Sequence, residues 1–127
     1  TSELAARAAP PSRAKPMIPG IPQADSQRLL ELIRTHPHVQ KVVLYGSRAL
    51  GRQRAGSDID LCLEAPSMKL GELLELGAAL DDLLLPWNVD LQLRHLIAHE
   101  GLLSHLDRAG QLLWERPPNA RLPQPTF

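Results

Sequence analysis

Cross-linking chemistry is almost absent from this sequence. Its one cysteine, Cys62, excludes an internal disulfide and a zinc site built from several thiolates, and such usage suits a reducing, cytoplasmic setting. Aromatic residues make up only 3% of the chain, so platforms on which bases stack are scarce. Fourteen basic side chains are offset by fourteen acidic ones. Without a positive excess no extended nucleic-acid surface is expected, and any role with nucleic acid has to be local. No apolar run approaches the roughly 18–20 residues that span a bilayer as a helix, so no membrane partner is expected.

What is present is enough for one domain. A chain of 127 residues with 43% hydrophobic content, mostly leucine and alanine, can bury an ordinary core but has little room for a second one. Residues 1–22 are rich in Ala, Pro and Arg, with Glu3 as the only acid. That composition has something of a transit peptide, but the five prolines up to Pro22 oppose an amphipathic targeting helix, and a disordered leader is expected. The folded domain should span 23–116, followed by a flexible proline-rich tail over 117–127.

Hydrophobic periodicity places the elements. Leu29, Leu30, Leu32 and Ile33 recur at helical spacing after a cap at Asp25 or Ser26, and Pro37 ends that helix. Val39–Tyr45 reads as a buried strand ending at Gly46, and Ser47–Leu50 as a helical turn. Residues 51–56 have no apolar period and form a loop. From Ser57 to Glu64 the pattern alternates: Ile59, Leu61 and Leu63 on one face, Asp58, Asp60, Cys62 and Glu64 on the other. Leucines from Leu70 to Leu84 describe a long amphipathic helix, core first and partner-binding second, that ends before Pro86. Asn88–Arg94 alternates again, with Asp90 on its polar side. A last helix is expected over Leu96–Arg108 with Gly110 as its C-cap, and Gln111–Trp114 is a short apolar run. The apolar faces need covering by the helices, so the predicted fold is α/β: a small mixed sheet with helices on one face and an acidic cleft on the other.

Two parts of this pattern carry chemistry. Asp58 and Asp60 stand at i and i+2, so their carboxylates project side by side, and a divalent cation relieves their mutual repulsion. Oxygen donors select Mg²⁺, with Mn²⁺ as a substitute. A pair of such ions clamps an in-line phosphoryl displacement, and a third carboxylate usually completes the site; Asp90 is the best candidate. The Gly46-Ser47 turn meets the other need, because glycine lets a backbone approach a ligand and free N–H groups at a helix start attract phosphate. Arg48, Arg52 and Arg54 are candidates to bind the charge of a triphosphate.

Gly46-Ser47, ten residues, then Asp58-Ile59-Asp60, with Asp90 on a following strand, resembles the nucleotidyltransferase superfamily that includes DNA polymerase β. The short length is similar to its minimal members, the nucleotidyltransferase halves of bacterial HEPN/nucleotidyltransferase pairs. The resemblance covers about Asp25 to Glu115. It implies that Gly46 and Ser47 hold the triphosphate, that Asp58 and Asp60 bind both metal ions, and that Asp90 helps deprotonate an acceptor hydroxyl. It further implies transfer of a nucleoside monophosphate, AMP from ATP, to a hydroxyl of a HEPN-type toxin, with this chain as the antitoxin. Homo- or hetero-oligomers would fit, since no acceptor domain is present. The alternatives are a small-molecule nucleotidyltransferase of the aminoglycoside-modifying kind, completed by another chain, and a non-catalytic module that neutralises a partner by contact.

The remaining polar residues read more plainly. Asp81 and Asp82 solvate a helix end, and Glu64 is rim rather than ligand. His95 and His99, four apart, lack a third zinc ligand. His36, His38 and His105 are expected at the surface, Cys62 as a semi-buried filler, and Trp87 and Trp114 as core or interface anchors.

Overall fold

β-Branched and leucine residues alternating with polar ones produce four short strands, and the same leucines decide which way the sheet faces. The computed structural model describes residues 18–118. Helix α1 (Gln23–Arg34) leads into β1 (Lys41–Tyr45) and the one-turn helix α2 (Ser47–Leu50). Then come β2 (Ile59–Glu64), α3 (Leu70–Asp81), β3 (Val89–Leu93), a 3₁₀ turn (Arg94–Leu96), α4 (Glu100–Ala109) and β4 (Gln111–Glu115). The sheet order is β3-β2-β1-β4. β1 is antiparallel to both β2 and β4, whereas β3 runs parallel to β2. A parallel pair needs a crossover, and α3 is that crossover.

The core lies on one face. Ile59, Leu61 and Leu63 of β2, with Val42 and Leu44 of β1, are fully buried against Leu29, Leu30 and Ile33 of α1 and Leu73, Leu76 and Leu80 of α3. The α/β class, the mixed sheet and the segregation of apolar from acidic residues are therefore as expected. One feature differs from the expected helix-free acid face. Leu106 of α4, with Ile97, Leu102 and Leu103, packs on Val43, Tyr45 and Cys62, so the cleft occupies only the part of that face that α4 leaves uncovered.

Element ends shift for local reasons. α1 starts at Gln23, directly after Pro22, and buries Ser26 within the helix instead of using it as a cap. The fold also begins before residue 23: Ile18 and Ile21 are 1% and 6% exposed and belong to the core, so the expected leader covers at most the residues before them. Residues 1–17 and 119–127, to which most of the expected leader and tail belong, lie outside the described residues. α3 stops at Asp81 rather than Leu84, because Leu84 takes a left-handed backbone (φ 57°) and is largely exposed. The single late helix expected over 96–108 is a 3₁₀ turn and then α4, which starts where the His99 ring accepts the Leu102 N–H (3.1 Å). His95 and His99 therefore never share a helix face. Gly110 follows α4 with φ −62°, an extended exit instead of a left-handed cap.

Candidate active site

The site is a rung across three strands. Tyr45 of β1 stands opposite Asp60 of β2, and Asp60 stands opposite Asp90 of β3. All three side chains leave the sheet on the face away from the leucine core, since their strand neighbours point inward. The Tyr45 hydroxyl donates to Asp90 Oδ2 at 2.9 Å. Burial first, and that hydrogen bond second, push the Tyr45 phenol far above its ordinary value, so it remains a donor at any physiological pH. Asp60 is half-buried. Loss of water, then the nearby Asp90 and Asp58, raise its carboxyl above the ordinary value, and Arg48 and His105 only partly oppose them.

The strand ends beside this rung in a turn that only glycine can make. Gly46 has φ 78° and ψ −156°, and a β-carbon there would collide with the Asp60 carboxylate. The acid and the turn thus meet face to face. The Gly46 carbonyl also accepts the N–H groups of Ala49 and Leu50, both at 3.1 Å, which starts α2 immediately. Ser47 is its first residue. Arg52 and Arg54 follow on the exposed loop, where the Ser57 hydroxyl accepts the Arg54 N–H (2.8 Å). Trp87, just before β3, closes that loop by donating Nε1–H to the Ala55 carbonyl (3.0 Å).

Asp58, directly before β2, is exposed, and it is near enough to Asp60 for its charge to help raise that carboxyl. Arg48 and His105 stand elsewhere than the sequence pattern places them. Arg48 is 1% exposed and faces the protein, not the cleft. Its guanidinium donates to the carbonyls of Pro19 (2.6 Å), Ser57 (2.7 Å) and Asp58 (3.3 Å), which makes it a brace for the loop rather than a phosphate ligand. His105 is half-buried instead of superficial, and its Nε2 accepts the Gly46 N–H at 3.0 Å. In the sequence His105 is separated from Gly46 by 59 positions. Only its place beside Leu102 and Leu106 on the inward stripe of α4 marks it.

The oxygen donors of Asp58, Asp60 and Asp90 suit a hard divalent cation, and the crowding that raises Asp60 is the conflict such an ion relieves. Among the described residues no three His, Cys, Asp or Glu side chains converge into a finished cage. Asp90 is engaged by Tyr45, and Asp58 is turned to solvent. Glu64 lies at the rim, 3.9 Å from Lys41. Burial lifts the Cys62 thiol to about 11, so it stays protonated and serves as filler. A groove of about 360 Å³ runs between α3 and the outer edge of β3, lined by Leu74, Ala78, Val89 and Leu91, and reaches Asp90.

A glycine turn set against paired acids on an open mixed sheet defines a nucleotidyltransferase-type domain. Residues 27–119 match the family "Polymerase beta, Nucleotidyltransferase", and the chain belongs to it, as a minimal member of the polymerase β-like superfamily. No curated protein sequence matches the chain. Several solved structures do. A toxin–antitoxin crystallised with AMP-PNP is 27% identical, with a TM-score of 0.60 over 73% of this chain and 75% of that one. An MntA toxin–antitoxin variant, in which two aspartates separated by one residue are both changed to glutamate, is 25% identical, with a TM-score of 0.60 over 73% and 75%. A tri-AMPylated HEPN toxin of Shewanella oneidensis in complex with its MNT antitoxin matches at 25% identity and a TM-score of 0.57, over 74% of this chain and 72% of that one. No helix among the described residues is long and apolar enough to cross a membrane.

Proposed function

We propose that this nucleotidyltransferase transfers AMP from ATP to a hydroxyl of a HEPN-type partner protein, and that it serves as the antitoxin of such a pair. The observation that carries this reading is the contact between Gly46 and Asp60 on the rung that Asp90 completes. It supports the reading because the Gly-Ser turn and two carboxylates lie side by side. The neighbours seen with AMP-PNP and with an AMPylated HEPN toxin supply the choice of nucleotide and partner.

In this reading Gly46 and Ser47 hold the triphosphate, and the exposed Arg52 and Arg54 offset its charge. The acceptor oxygen attacks the α-phosphorus, the bond to pyrophosphate breaks, and the hydroxyl proton passes to Asp90. Tyr45 keeps Asp90 in place for that transfer through its 2.9 Å hydrogen bond. Asp58, Asp60 and Asp90 would hold two Mg²⁺ ions, which would neutralise charge on the reacting phosphates. β3 is an edge strand, so the sheet ends beside Asp90. In this reading the partner docks at that edge and supplies the acceptor.

Co-expression with a HEPN-type protein encoded beside this chain, followed by intact-mass spectrometry of the partner, tests the reading. AMP adducts are expected with the wild type and none with Asp58→Asn plus Asp60→Asn. Adducts that persist with the double variant, or a wild type that adds none yet still neutralises the partner, would reject catalysis.

A further inference from the structure

Gly46 is held from two directions. Its Cα abuts the Asp60 carboxylate, and its N–H donates to His105 Nε2 at 3.0 Å. For Nε2 to accept, that nitrogen must be the one without a proton, with the ring N–H on Nδ1. His105 belongs to α4, whose Leu102 and Leu106 are seated on Tyr45 and Cys62, and the Tyr45 ring meets the imidazole edge-on with centroids 6.2 Å apart. The helix is therefore docked by apolar contact, and the imidazole converts that docking into one directed bond to the turn.

That bond matters because of where it falls. The Gly46 backbone sits in a region that L-residues avoid, and glycine is also the residue with the most freedom to leave it. The Gly46 carbonyl is fixed by Ala49 and Leu50. The His105 acceptor fixes the other side of the same residue.

We propose that His105 is a positioning residue for the nucleotide turn: its Nε2 accepts the Gly46 N–H and so pre-organises Gly46-Ser47 for a triphosphate. The proposal rests on the nucleotide reading given above. Pre-organisation improves affinity by removing an ordering cost at the moment of binding. Loss of one such bond should weaken ATP binding about tenfold.

Two variants test it, with ATP titration calorimetry in Mg²⁺ and amide hydrogen exchange at Gly46 as readouts. His105→Leu keeps the apolar packing but removes the acceptor, and is expected to speed exchange at Gly46 and weaken ATP binding about tenfold. His105→Gln offers a carbonyl acceptor and is expected to restore much of both. Equal losses in the two variants would mean that the ring acts by packing alone, and would overturn the proposal. So would His105→Leu binding ATP as the wild type does. A wild type that binds no nucleoside triphosphate overturns the nucleotide reading itself, and the exchange data tell the two failures apart.

Discussion

At the scale of single residues, Asp60 works against the fold it belongs to. Its folded-state carboxyl is raised above the unfolded value, so the native state binds that proton more tightly than the unfolded chain does. The fold is then penalised once the pH exceeds the unfolded value and both states must ionise. Asp60→Asn should raise the melting temperature at pH 7, and the gain should vanish as the pH falls through the ordinary carboxylate range near 4. Mg²⁺ should raise the melting temperature of the wild type more than that of the variant, because a ligand stabilises the state that binds it. Differential scanning calorimetry over pH 4–8, with and without Mg²⁺, checks both; an Asn variant less stable at pH 7 would contradict the assignment. Arg48 works in the opposite sense. Replacing it by Met strands the carbonyls of Pro19, Ser57 and Asp58 that it now satisfies, at a cost of about 3 kcal/mol measured by urea unfolding. Arg48→Lys should recover little, since a compact ammonium cannot span three acceptors.

The contrast between those residues shows what a sequence displays at this scale. Asp60 is legible because strand alternation alone assigns it a face. Arg48 is not, because a guanidinium beside a Gly-Ser turn suits a phosphate and a carbonyl equally well. Its choice depends on where Pro19 and Ser57 arrive, which is a tertiary matter. The same holds for His105, whose partner is far away in the chain.

Among elements, the strands are readable nearly to their ends and the helices less so. β2 and β3 carry period-2 patterns with unambiguous faces, and their in-register pairing of Ile59 with Val89 and Asp60 with Asp90 follows from them. The start of α4 is blurred because residues 94–99 have helical composition yet split into a 3₁₀ turn and a cap at His99. The last strand depends on a device that no local pattern shows. Arg116 donates to the carbonyls of Val39 (3.0 Å), Arg34 (3.2 Å) and His36 (3.1 Å), and its guanidinium lies 4.9 Å from the Trp114 ring centroid. It ties the end of β4 to the connection between α1 and β1. Arg116→Ala should cost about 2 kcal/mol in thermal unfolding, well above the usual surface substitution. A change under about 0.5 kcal/mol would show that the tie is idle.

For the whole molecule, the core reaches further toward the N-terminus than composition suggests. A proline-rich stretch reads as leader, yet Ile18 and Ile21 fill space against α1 and the sheet. Ile18→Ala should cost about 2–4 kcal/mol, as for other large-to-small changes in a core. A truncation that starts at residue 23 should lose more, and chemical denaturation of both proteins checks the pair.

The acid rung has one more consequence, which concerns how the sheet finds its pairing. Side chains alternate with period two, so a slip of β2 by one residue against β1 would turn Asp60 and Glu64 into the leucine core and expose Ile59, Leu61 and Leu63. An unpaired carboxylate in apolar surroundings costs several kcal/mol, far more than the mild penalty Asp60 exacts in its proper place. The carboxylates thus discriminate against every odd-numbered misalignment during folding. In this small domain the residues that equip the cleft for chemistry also proofread the sheet that presents it.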